Sequence, residues 1–528
     1  MSTRSHWGWG DEDRFPDDAA RASLRQQLSG VFGWELPDPL PYPSLDDAHL
    51  PTPRIAIPPA LAAFCTADTR SRATRTYGRA FPDLLRGFQG DFSAAPDIVA
   101  RPRDEADIIE TLSWAADNNV AVVPYGGGTS VVAGTECRGD GRAGVICLDL
   151  GRLDQVLEVD QTSRHARIQA GTLGPALEAQ LAEHGLTLRH YPQSFTHSTL
   201  GGWIATRAGG HFATRYTHID DLVASVRMIT PAGVWESRRL PGSGAGPSPD
   251  RMVLGSEGTL GVITEAWMRV FPRPVHRSKA TLHFDRYADA VEAVRAIAQA
   301  RLYPSNCRLL DADEALINLV AFGKHVLLLG FESATHAQAA RLDEAILLAE
   351  SHGGTVASGP KHTESSQVSG GSGHAWRQAF IKAPYKQTAL LTLGVIADTF
   401  ETAVTWDRFA ALHEDVVASV KAAGAPFVSC RFTHVYPDGP APYYTWLMPC
   451  PLDEMAARWQ VVKAAASDAL MRHGATITHH HAVGRTHRPW YDQQRPAPFG
   501  AALQAVKSAL DPAGVLNPGV LIDQPESR

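Results

Sequence analysis

Apolar and polar positions change rhythm several times along the chain, and those changes divide it. From about residue 96 the segment RPRDEADIIETLSWAADNN has helical spacing. The short apolar strand VAVVP and a glycine-rich turn follow it. GVICLDLGRL, VLEVD and HARIQAG alternate like strands, and LGPALEAQLAEHG has helical spacing and ends on a glycine suited to a C-cap. Strands and helices keep alternating to GVITEAWMRVFPRP, which predicts one α+β domain over 96–275. In 276–484 a strand and an amphipathic helix (ATLHFDRYADAVEAVRAIAQARLYP) are followed by a second such pair (HVLLLGFES, HAQAARLDEAILLAESHGG). This order predicts a sheet with helices on one face. GPKHTESSQVSGGSGHAW reads as a polar loop, and the 485–528 segment as a helix with a Pro/Gly stop that returns to the first domain. Residues 1–95, rich in Pro, Asp and Arg, read as an extension draped over the rest. It holds a helical patch at AARASLRQQLSGVFGW and a proline-enforced loop at LPDPLPYPSL.

A length of 528 residues is too great for one core, so several domains are expected. The net charge of −7 excludes a dedicated nucleic-acid binder, which would carry a basic excess. The six cysteines form no C-x-x-C pair, so neither a disulfide framework nor a structural zinc site is expected. No apolar run is long enough to span a bilayer and the N-terminus has no apolar signal region; a cytoplasmic location is expected.

Three segments carry candidate chemistry. In PYGGGTSVVAG, residues Pro124, Tyr125, Gly126, Gly127, Gly128, Thr129 and Ser130 end a strand in a loop without Cβ atoms. Backbone N–H groups and two hydroxyls can there approach an anion. The loop lacks the Lys of a phosphate-binding Walker loop and is not the G-x-G-x-x-G nicotinamide fingerprint. PQSFTHSTLGGWIATRAGG offers Pro192, Ser194, Ser198, Thr199, Gly202, Thr206, Ala208 and Gly209. GSEGTLGVITEAWMRVFP places Glu257, Gly258, Thr259, Gly261, Val262 and Ile263 where a small-residue turn precedes a β-branched strand able to lie along a flat ring.

In this order the three segments resemble the vanillyl-alcohol oxidase/p-cresol methylhydroxylase flavoprotein family. The resemblance implies a two-subdomain FAD-binding domain plus an α+β cap over the substrate. The first loop would lie on the pyrophosphate and the other two along the adenosine and isoalloxazine. PYGGGTS has no histidine to bond the ring, so FAD is expected to be non-covalent. HWGWG, RATRTYGRAFPDLL, CRLLD, ADTFETAVTWDRF, CRFTHVYPDGPAPYY and HHHAVG extend the likeness over nearly the whole chain to the alkyldihydroxyacetonephosphate synthase family. That family exchanges the acyl chain of acyl-dihydroxyacetone phosphate for a fatty alcohol without net redox change. The resemblance implies a lipid-like small-molecule substrate, a hydrophobic tunnel and peripheral membrane contact; a homodimer is left open.

By the same resemblance Tyr443 moves a proton at the substrate carbon, Arg308 supports activity, and His479, His480 and His481 form the adjoining cluster. If the histidine run is extended, His479 and His481 share a face and His480 points away. One departure stands out. Where the family has PYLRD, this chain reads APYKQTAL, with Gln387 at the substrate-binding arginine and Lys386 beside it. Gln387 lacks the charged fork of arginine, and in a strand Lys386 would point to the opposite side. The alternative function is that of an FAD-dependent D-2-hydroxy acid dehydrogenase from a sister branch, whose metal is held by two histidines and a glutamate. Here His434 has no second histidine at that spacing and His480 takes the glutamate position, so no metal is expected.

Overall fold

The buried run Val120–Val123 starts the first sheet. In the computed structural model, which describes residues 3–364 and 384–523, it forms β3 (Val120–Tyr125). This strand is parallel to β4 (Gly144–Asp149), whose other side carries β2 (Ile98–Ala100), with β1 (Cys65–Thr66) at the edge. Apart from Asp149 at the end of β4, the strands β2, β3 and β4 are apolar because both faces are covered. Val120, Val122 and Ile146 pack on Ile108 and Leu112 of the helix Glu105–Asp117, while Val123, Val145 and Cys147 fill a separate cluster. The Asp104 carboxylate caps that helix by accepting from the Asp107 N–H.

A second, antiparallel sheet has the order β5 (Val156–Asp160), β6 (His165–Gln169), β10 (Val262–Arg269), β8 (Val223–Thr230), β9 (Gly233–Glu236). A two-residue ladder joins β7 (Leu186–Thr187) to β11 (Phe271–Pro272). The C-terminal segment returns to the first sheet: Val122 N–H donates to Val515 O and Asn517 N–H to Val122 O. The buried Lys507 ammonium fixes this return by donating to Asp511, Thr259 O and Leu516 O.

The third sheet has seven strands in the order β15 (Thr355–Glu364), β12 (His276–Phe284), β14 (His325–Ser333), β13 (Asn306–Leu310), β17 (Phe427–Val435), β18 (Pro440–Pro449), β16 (Val395–Glu401). As the strand–helix order predicted, helices cover one face. Tyr287–Gln299, Ala339–Ser351, Trp406–Ala422 and Met455–Arg472 bury Ala290, Leu342, Phe409 and Val462 with Leu282, Leu327, Phe432 and Trp446. Alternation then sends Arg308, Arg431 and Tyr443 to the opposite face, toward the glycine loops.

Two expectations need correction. Of the segment expected to be a polar loop, residues 359–364 belong to β15, with 361–364 paired to β12; residues 365–376 lie outside the described residues. The N-terminal extension is not merely draped. Trp7 and Trp9 are buried in the same core as Tyr77, Phe81 and Leu391, and β1 belongs to the first sheet. The expected helical patch forms as Asp18–Phe32 and packs Leu28 against Leu390, Leu393 and Leu447. Among the described residues no helix is long and apolar enough to cross a membrane.

Candidate active site

The first two glycine segments interlock. A Cβ on Gly126 would lie 2.3 Å from Thr199 Oγ1, and one on Gly127 would lie 1.9 Å from His197 O. Only glycine allows that contact, and it turns the 126–130 backbone toward a cavity of about 700 Å³. From the second segment Pro192, Ser194, Ser198, Thr199, Gly202, Thr206, Ala208 and Gly209 reach the same cavity. Pro124, Tyr125, Glu257, Gly258, Gly261 and Ile263 line a smaller neighbouring cavity of about 90 Å³. Thr259 and Val262 line neither; both are buried, Thr259 with its hydroxyl donating to Ser256 O. A wall of backbone amides and hydroxyls of this size suits a dinucleotide such as FAD.

The third sheet supplies the other wall. Tyr443 is buried and donates to Thr399 Oγ1 at 2.9 Å; the Arg431 guanidinium lies 3.9 Å from its ring centroid. Burial raises the phenol above its ordinary range, outweighing the opposite pull of Arg431, so Tyr443 rests protonated. Arg431 is paired with the buried Glu314 at 2.5 Å. Arg308, on the adjoining strand and 1% exposed, is lowered to about 9 by burial and by Arg431, and stays charged at neutral pH. Of these residues, Arg431 and Glu314 escaped the sequence reading. The alternation of CRFTHV with a buried strand was the only signal for the former.

The histidine run departs from its expected form. Residues 477–483 bend instead of extending, and His480 and His481, not His479 and His481, line the cavity. The cause is the Glu401 carboxylate, 2% exposed, which gathers the N–H groups of His479 (2.6 Å), His480 (3.1 Å) and His481 (2.9 Å) and the Thr478 hydroxyl (2.6 Å). Successive N–H groups of a strand point to opposite sides, so three consecutive amides can meet one carboxylate only if the chain curls. Glu257 holds the next residues, accepting from Val483 N–H and Gly484 N–H, each at 2.9 Å. Its side chain therefore serves the histidine loop. Burial lowers His480 to about 3 and His481 to about 4, against the raising influence of Glu401, so both imidazoles are neutral.

His479 turns from the cavity, with Nε2 2.7 Å from Tyr436 Oη and Nδ1 3.0 Å from His480 Nδ1. Ligand nitrogens of His434, His479 and His480 lie within 4.8 Å of one another. Lys386 and Gln387 both line the cavity, but residues 384–392 are helical, not extended, so the two are about a quarter-turn apart instead of opposed. The Gln387 amide is engaged on both sides, donating to Ala397 O at 2.7 Å and accepting from Trp9 Nε1 at 2.9 Å.

This geometry agrees with relationships visible over most of the chain. Residues 96–237 match the family model described as FAD binding domain, and 273–521 that of FAD linked oxidases, C-terminal domain. An alkyldihydroxyacetonephosphate synthase of Caenorhabditis elegans is 31% identical over 86% of this chain and 81% of its own length. One from Dictyostelium discoideum is 29% identical over 86% and 78%. A solved alkyldihydroxyacetonephosphate synthase superposes with a TM-score of 0.82 at 25% identity, covering 98% of each chain. The chain thus belongs to the alkyldihydroxyacetonephosphate synthase family and is an FAD-dependent enzyme.

Proposed function

We propose that the enzyme exchanges the acyl chain of acyl-dihydroxyacetone phosphate for a fatty alcohol, yielding an ether-linked lipid precursor and a free fatty acid. The observation that carries the reading is one cavity in which a protonated tyrosine, two neutral imidazoles and a buried cation meet beside the glycine loops. The flavin, non-covalently bound, supplies an electrophilic ring. His480 or His481 takes the proton from the carbon beside the ketone. Tyr443 gives its proton to the oxygen of the departing carboxylate and recovers one from the incoming alcohol; the carbon regains its own at the end. Arg308 holds anionic charge on the substrate. With Gln387 bound to Ala397 and Trp9, the phosphate depends on the remaining cations, Lys386 among them.

From this cavity an apolar arm runs past Leu28, Ile317, Leu390 and Leu447. At its mouth Val31, Leu319 and Phe322 are 51%, 72% and 75% exposed. These exposed side chains support peripheral contact with a lipid surface from which the alcohol enters. The double variant Leu319→Asp/Phe322→Asp is expected to lose at least tenfold in co-sedimentation with phosphatidylcholine vesicles while still using a short, water-soluble alcohol. Unchanged vesicle binding would reject this mouth as the contact.

Incorporation of radiolabelled hexadecanol into a dihydroxyacetone phosphate ether tests the whole reading, and release of one fatty acid per ether formed is expected. A second reading, oxidation of a D-2-hydroxy acid, is favoured by the His434–His479–His480 group, whose spacing would suit a divalent cation. Rapid anaerobic bleaching of the yellow enzyme by D-lactate, with no label incorporated, would replace the first reading by the second.

A further inference from the structure

Arg79 is 1% exposed and, among the described residues, has no carboxylate within ion-pair distance. Its terminal nitrogens donate to Gly78 O at 2.6 Å and, over a long 3.4 Å, to Ser5 O, while its Nε has no partner. It lines the large cavity together with the first glycine loop. Its placement there is rigid: Arg79 N–H donates to Ser130 O at 2.5 Å, and a Cβ on Gly78 would lie 2.4 Å from that same oxygen. A second arginine, Arg4, donates from its guanidinium to Gly127 O in the middle of the loop, and is likewise without a carboxylate partner among the described residues.

Burying a guanidinium without a counter-charge costs several kcal/mol, on the order expected for an uncompensated ion. Burial lowers Arg79 only to about 10, so the charge persists at neutral pH. Asp83 offsets it only in part, because its own carboxyl is pushed up to about 7 by burial and by Glu136. A persistent buried cation next to glycine-loop amides, facing a cavity, is complementary to a phosphoryl anion.

We propose that Arg79, with Arg4 on the N-terminal segment, forms the fixed cationic half of a phosphoryl-anion site at the first glycine loop. Its occupant is the FAD pyrophosphate or the phosphate of the substrate. The second source rests on the proposed function; the first does not. The site also explains why the N-terminal segment is built into the core: Ser5 O accepts from Arg79, and Trp7 and Trp9 anchor the segment that carries Arg4.

The test compares wild-type holoenzyme with Arg79→Met, Arg79→Lys and Arg4→Gln. The readouts are FAD release on dilution, followed by the rise of flavin fluorescence at several salt concentrations, and KM and kcat for the acyl-dihydroxyacetone phosphate substrate. If the pyrophosphate is the occupant, Arg79→Met releases FAD at least tenfold faster with a shallower salt dependence, and Arg79→Lys recovers most of the loss. If the substrate phosphate is the occupant, FAD release is unchanged and KM rises at least tenfold while kcat moves less than threefold. Unchanged FAD release together with unchanged KM overturns the proposal, as does equal loss in the Met and Lys variants. If Arg79→Met does not fold, Arg4→Gln decides: a threefold shift in either readout supports the site and no shift overturns it. The FAD readout needs no turnover, so absence of ether formation in the wild type rejects the proposed function without touching this result.

Discussion

Tyr443→Phe is expected to lower turnover by between about a hundredfold and ten-thousandfold while the protein stays yellow. The phenol hydroxyl is the proton source of the proposed exchange, and burial keeps it protonated at rest. Phenylalanine retains the ring under Arg431 and changes nothing at the glycine loops, so FAD remains bound. The hydroxyl's loss also leaves Thr399 Oγ1 without its partner, at a stability cost of about 1 kcal/mol. That cost is too small to mimic the kinetic effect through unfolding. Flavin absorbance, melting temperature and labelled-hexadecanol incorporation, measured on one preparation, separate the outcomes. Turnover within threefold of wild type would remove Tyr443 from the proton path. Loss of the flavin spectrum would show the ring to be structural.

The parts of the site legible in the sequence are those where backbone must come close to something. Gly126 and Gly127 cannot carry side chains because Thr199 and His197 occupy that space, and such a constraint leaves consecutive glycines behind. Strand alternation likewise projected a two-sided third sheet, and Arg308 and Tyr443 do face away from its helices. The failures share a cause: partners remote in sequence overrode local pattern. ITHHHAVGR has the β-branched entry of a strand, yet a carboxylate 78 residues from His479 curls it. Nothing near Gln387 in the chain reveals that its segment is helical, or that Trp9, 378 residues away, binds its amide. Arg79 lay within a recognised motif but showed no chemistry, because a charge without a counter-charge is visible only in three dimensions. Val262 looked like a ring-facing strand position, but it packs with Ile146 and Val122 instead.

The second large effect is expected at Glu401, which touches no ligand in the proposed scheme and acts by positioning. Its strand partner is Tyr443, and its carboxylate holds the three histidine amides, so it joins the proton donor to the acceptors. Glu401→Gln replaces one accepting oxygen by an NH₂ that cannot accept from those N–H groups. The loop then loses its curl, and kcat is expected to fall at least a hundredfold with KM changed less than threefold. Amide exchange at 479–481 should accelerate at least tenfold while 483 and 484, held by Glu257, stay protected; Glu257→Gln should give the reverse pattern. The two carboxylates also differ in pH behaviour. Glu401, held well below the ordinary carboxylate range by its hydrogen bonds and, once acid protonates them, by the histidines, adds stability that is present above that range and lost only under acid. Glu257, raised to about 7 by burial, has the opposite sign: its protonated form favours the fold, so stability declines as pH rises from about 4.5 through about 7. Relative to Glu257→Gln, the melting temperature of the wild type should therefore fall as pH rises between 5 and 8, while Glu401→Gln melts below the wild type throughout. A Glu401→Gln enzyme with normal kcat, normal exchange and an unshifted melting curve would show that the histidines keep their places without it.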